Sequence, residues 1–180
     1  MRIAVLLSLL VTSAALAAAP TPDQIAKARQ TLTSTLTDAI VGPLRTWRVE
    51  EVEKPSFPFV VDKVARRVRA EANDMITENA RAVRQTLGKP QVRMQVMNAL
   101  AEAGLDGQAD NATVDAIAAR LAQNAAKTSA FYDSDVTLAV VGWGSGDHES
   151  VEGYAPASPK KVAARLLDGV PALLFPAPAQ

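Results

Sequence analysis

The chain has no cysteine, one histidine and few aromatic residues, 4% of its 180 positions. Without thiols there is no disulfide, no thiolate nucleophile and no lipid attached through sulfur. The single imidazole, His148, must carry any histidine-based catalysis, and no H-E-x-x-H occurs. Zinc sites usually draw on more His or Cys than this chain owns. No stretch approaches the about 20 apolar residues that a bilayer crossing needs. From Val60 to Ala130 there is no aromatic at all. Seams of Ala, Val, Leu, Ile and Met let helices approach closely, but basic residues without interleaved aromatics do not make a stacking surface for bases. Nucleic acid is therefore not expected as a partner, and no cofactor is expected.

What is present begins with the N-terminus. Arg2 precedes an apolar run from Ile3 to Val11 that only Ser8 interrupts, and Ala15-Leu16-Ala17 follows. One positive charge, a short apolar core and a small-residue exit form the pattern of a secretory signal peptide, with cleavage expected after Ala17. The expectation is an exported protein, periplasmic or secreted, whose residues 18–180 form a single helical domain. Formal charge is +0, so net charge names no partner. Its distribution is uneven: eight basic side chains lie between Lys63 and Arg93 against Glu71, Asp74 and Glu78, whereas Glu102 to Glu152 holds nine acids against Arg120 and Lys127. The two halves either attract each other or leave the basic half facing an anionic partner.

Helix signals dominate the order of the chain. Thr21-Pro22-Asp23-Gln24 is a capping box with Pro at the first helical position. Ile25, Ala28, Leu32, Leu36 and Ile40 recur at helical spacing up to Gly42-Pro43, where Gly42 is expected to adopt the left-handed cap. Residues 44–53 fit either a strand or a short helix. The longest helix is expected from about Val60 to Leu87, with Val61, Val64, Val68, Ala72, Met75 and Val83 inward. A third follows from about Gln91 to Ala103, with Val92, Val96, Met97 and Leu100 inward and Gly104 as its cap. A fourth starts at Asp110 or Asn111 and buries Val114, Ile117, Ala118, Leu121 and Ala125.

Character changes at Phe131. Val136 to Val141 is a β-branched run, Gly142 to Asp147 a glycine-rich turn, and the following residues alternate, so a hairpin spans about 136–154. Ser158-Pro159 caps a last helix that Asp168-Gly169 ends, and Val170 to Phe175 is expected to lie extended. The fold class is thus mainly α with a small β element: an irregular helical bundle of four to five helices plus a C-terminal β-hairpin. Trp47, Phe57, Phe59, Phe131, Trp143 and Tyr154 are expected to gather where hairpin meets bundle.

Several residue sets carry possible chemistry. Gly142, Gly144 and Gly146 follow a strand, but their spacing is not G-x-G-x-x-G, and a turn needing positive φ accounts for them. Ser145, Asp147 and His148 are the residue types of a hydrolase, yet the G-x-S-x-G elbow is missing. Asp133, Asp135, Asp147 and His148 supply oxygen and nitrogen donors for a metal, without the Gly and distal Glu of a calcium loop. Met94 and Met97 offer soft sulfur, which core packing of Met97 would preclude. Asn111-Ala112-Thr113 matches a glycosylation sequon. The basic side of the long helix, Lys63, Arg66, Arg69, Arg81 and Arg84, is the best-defined surface for a protein or anionic envelope partner. The alternative for it is a solvated face neutralised by the acidic half. Two functions follow: an exported, non-enzymatic helical protein that binds such a partner, or a small hydrolase or metal-dependent enzyme working between Asp133 and Glu149.

Overall fold

The computed structural model describes residues 19–46, 58–105, 110–141 and 148–176. Residues 1–18, Trp47, Phe57, Trp143, Ser145 and Asp147 lie outside them. Among the described residues, five α-helices and one two-stranded antiparallel sheet form a mainly helical fold.

Helix α1 (Pro22–Val41) starts where its capping box dictates. Thr21 Oγ1 accepts from the Gln24 amide at 3.2 Å, and Gln24 Oε1 accepts from the Thr21 amide at 3.0 Å. Its threonines are accommodated with the Thr33 and Thr35 hydroxyls donating back to the Arg29 and Leu32 carbonyls. The end differs from expectation. Gly42 stays right-handed at φ −52°, and its amide still donates to the Asp38 carbonyl. Pro43, which cannot donate to the ladder, stops the helix instead of a left-handed glycine. Ala28, Leu32, Leu36 and Ile40 are fully buried, and α1 is the axis on which α3, α5 and the C-terminal segment pack.

Helix α2 (Pro58–Thr86) is the longest, and its buried side is rotated from the expected one. Ala72 and Val83 are buried, but Val68 and Met75 are half-exposed, while Ile76, Asn79 and Ala80 take the inward positions. At 100° per residue the observed stripe is turned about 50° from the one formed by the valines. Asn79 is buried because it is fully used: its Oδ1 accepts from the Arg45 amide at 2.9 Å and its Nδ2 donates to the Arg45 carbonyl at 3.1 Å. This clamp ties the segment after α1 to the middle of α2.

Helix α3 (Lys89–Glu102) ends in a Schellman motif. The Leu105 amide reaches the Leu100 carbonyl at 2.8 Å, the Gly104 amide reaches that of Ala101 at 2.9 Å, and Gly104 sits at φ +71°. Val92, Val96, Ala99 and Leu100 are buried. Met97, expected among them, is 40% exposed, because Ala99 and Leu100 fill the interior one turn on. Helix α4 (Asn111–Ala126) is capped by Asp110, whose carboxylate accepts from the Thr113 amide at 2.6 Å; that bond holds its pKa below the ordinary value. Asn124 is buried beside Leu121 and Ala125 and donates to the carbonyls of Leu166 and Asp168.

A short 3-10 turn at Thr128–Ala130 leads into β1 (Tyr132–Val141), which pairs with β2 (His148–Pro156). β1 starts earlier than its apolar run implies. The ladder slips between Asp133 and Val136, where three steps on β1 oppose two on β2, a bulge that accommodates Ser134-Asp135. β2 packs against α2, and Phe131 is buried at the start of the hairpin. Helix α5 (Pro159–Leu166) has Ser158 as its cap, and Gly169 turns the chain at φ +72°. Val170 to Phe175 is not extended. Pro171–Leu174 form a 3-10 helix in which Pro171 occupies the first position, where its missing N–H costs nothing. That winding places Val170 and Leu174 on one side, both buried in the core.

Candidate functional site

The described part of the basic set is displayed by the rigid body of α2. Arg66, Arg69, Arg81 and Arg84 are all exposed; Lys63 lies on the same helix by its backbone. A rise of 1.5 Å per residue puts Arg69 and Arg81 about 18 Å apart along the axis, and Arg66 and Arg84 about 27 Å apart. Arg69 shows why the stripe matters. It lies between the azimuths of Ile76 and Ala80, which are buried, yet it is exposed. The N-terminal half of α2 therefore passes beyond the part of the bundle that covers those two residues.

Two acids of α2 are engaged away from Arg69, Arg81 and Arg84. Glu71 pairs with Arg67 at 2.7 Å, one turn away on its own helix, and Glu78 pairs with Arg45 at 2.7 Å. Arg84 turns its Nε to the Ala80 carbonyl. Among the described residues no carboxylate pairs with Arg69, Arg81 or Arg84. One ion pair that joins the basic and acidic halves is Lys89 to Asp115 at 2.6 Å. The alternative of a face neutralised by the acidic half finds no ion pair on these three side chains.

The hairpin distributes the other candidates to its two ends. Asp133 stands opposite Ala155 near the base, and His148 stands opposite Val141 at the far end. Eight residues of strand at about 3.3 Å each separate those levels by roughly 25 Å. Asp133 and His148 therefore stand at opposite ends of the ladder; Ser145 and Asp147 lie outside the described residues. Among the described residues no three His, Cys, Asp or Glu side chains gather to hold a metal.

Asp133 has a different assignment. Its carboxylate accepts from Lys161 Nζ at 2.9 Å and Arg165 Nη2 at 2.6 Å. Lys161 first and Arg165 second hold its pKa below the usual carboxylate range, against the desolvation that would raise it. Arg165 Nη1 also donates to the carbonyls of Ser129, Ala130 and Tyr132. This corner latches the base of the hairpin to α5. The sequence signal for it was the i, i+4 spacing of Lys161 and Arg165, which places two cations on one side of a short helix.

No family model matches this chain, and no curated protein or solved structure is found similar to it. Among the described residues, no helix is long and apolar enough to cross a membrane.

Proposed function

We propose that this is an exported, non-enzymatic helical protein that binds an anionic component of the cell envelope through the arginine face of α2. The observation that carries the reading is the exposed set of Arg69, Arg81 and Arg84, none paired with a carboxylate among the described residues, on a helix whose Glu78 and Glu71 are taken by Arg45 and Arg67. Arginine suits this role because its planar, permanently charged fork matches phosphate and carboxylate oxygens. Cations near an anionic surface contribute about 1 kcal/mol each. Three of them on one helix supply useful, salt-sensitive affinity without inserting apolar side chains. The N-terminal leader supports delivery to that compartment.

The test is co-sedimentation of the leader-free protein with vesicles of neutral phospholipid and with vesicles containing an anionic phospholipid. Binding to the anionic vesicles alone, weakening as salt rises through the range where the Debye length falls below about 10 Å, is expected. Equal binding to both vesicle types, or binding that salt leaves unchanged, overturns the reading.

A further inference from the structure

The described residues leave only two large apolar side chains open to solvent, Met94 at 53% and Met97 at 40%. Both are thioethers, and both are on α3, three residues apart. Methionine is among the residues most often buried. Had α3 needed only an apolar contact here, Leu, Ile or Phe would serve, yet the described Leu, Ile and Phe side chains are buried or half-buried. What the two positions share that the core residues lack is sulfur. The chain has no thiol to compete for a soft ion.

We propose that Met94 and Met97 form a thioether site for a soft monovalent cation, Cu(I), for which Ag(I) is the redox-inert surrogate. Residues at i, i+3 on a helix hold their Cβ atoms about 5–6 Å apart on the same side. Three rotatable bonds in each side chain let both sulfurs turn toward one ion between them. Thioethers select Cu(I) over hard divalent ions because both partners are polarizable and neither demands charge neutralisation. Two charged side chains of α3 are oriented by neutral partners: Arg93 donates to Asn111 Oδ1 at 2.5 Å, and Glu102 accepts from the Thr31 hydroxyl at 3.2 Å. Arg93 keeps its positive charge in that bond, so the site relies on uncharged sulfur donors and not on charge attraction. The site is independent of the arginine face of α2.

The experiment is a titration of the leader-free protein, labelled at the methionine methyl groups, with silver nitrate in chloride-free buffer. NMR reads the methyl signals and native mass spectrometry reads the stoichiometry. One Ag(I) per chain is expected, shifting the Met94 and Met97 methyls together and leaving the half-buried Met75 nearly still. Met94→Leu and Met97→Leu are each expected to weaken binding by about tenfold or more, and the double variant to abolish it. Leucine conserves volume at these exposed positions, so an unchanged circular dichroism spectrum confirms that folding is intact. Silver retained by the double variant, a Met75 signal that moves as far as the other two, or no shift at all overturns the proposal. Displacement of Ag(I) by Cu(I) kept reduced identifies the natural ion class; failure of Cu(I) to displace it overturns the assignment to copper.

Discussion

Asp133 and Arg69 illustrate two opposite fates of charge in this molecule. Asp133 sits at the base of the hairpin with two cations on its carboxylate, and the cations themselves are bonded onward to backbone carbonyls. Arg69 stands on α2 with no carboxylate beside it among the described residues. The first arrangement uses polar groups to join elements. Asn79 and Asn124 do the same inside the bundle, each spending its amide on backbone that no helix ladder satisfies. The second arrangement leaves charge unspent and so available to something outside the chain. Side chains of the first kind should matter to stability and not to binding, and those of the second kind to binding and not to stability.

The sharpest break of that comparison is charge reversal on α2. The triple variant R69E/R81E/R84E should lose about 3 kcal/mol or more of affinity for anionic vesicles, at roughly 1 kcal/mol per cation, a loss of at least about 100-fold by co-sedimentation. If the triple variant binds as the parent does, the arginine face is not the contact. Next in size is Asn124→Ala. It removes the donor shared by the Leu166 and Asp168 carbonyls and opens a small void, and should lower unfolding stability by about 2 kcal/mol in urea titration. Its vesicle binding should be unchanged. A loss of binding in that variant would join the two classes that the structure separates.

Asp133→Asn is smaller and depends on pH. The carboxyl is held below its ordinary value in the fold, so its stabilising effect is complete above the unfolded value of about 3.9 and is lost as pH falls through that value toward the folded one. The partners are partly exposed, with side chains 61% and 39% accessible, so solvent screening limits the effect to about 0.5–1 kcal/mol at neutral pH. The parent and Asp133→Asn should therefore differ at pH 7 and converge near pH 2; a gap that persists in acid would point to packing and not to the ion pairs. The smallest expected effect is Arg69→Ala on stability, within about 0.5 kcal/mol, because an exposed side chain without a partner has little to lose. A larger destabilisation would reveal a structural role for the face assigned to binding.

Local chemistry determined a good part of this protein from sequence. The Thr21 box, the Asp110 and Ser158 caps and the glycines at 104 and 169 place helix ends within a few residues, because each satisfies orphan backbone groups with atoms three or four positions away. The β-branched run after Phe131 likewise announced a hairpin, although its polar start at Ser134-Asp135 hid the bulge. Helical period spread Arg66, Arg69, Arg81 and Arg84 over an arc of about 120°, but the exposure of Arg69, at the azimuth of buried Ile76 and Ala80, was not legible from it. Tertiary structure decided which azimuth of α2 is covered, replacing Met75 with Ile76, Asn79 and Ala80. It decided that Met97 faces water, that Asp133 meets Lys161 and Arg165, and that His148 stands at the opposite end of the ladder from Asp133. The reason is common to all four. Periodicity tells which side chains share a side, but only the neighbour that arrives from elsewhere in the chain determines whether that side is buried, paired or left open.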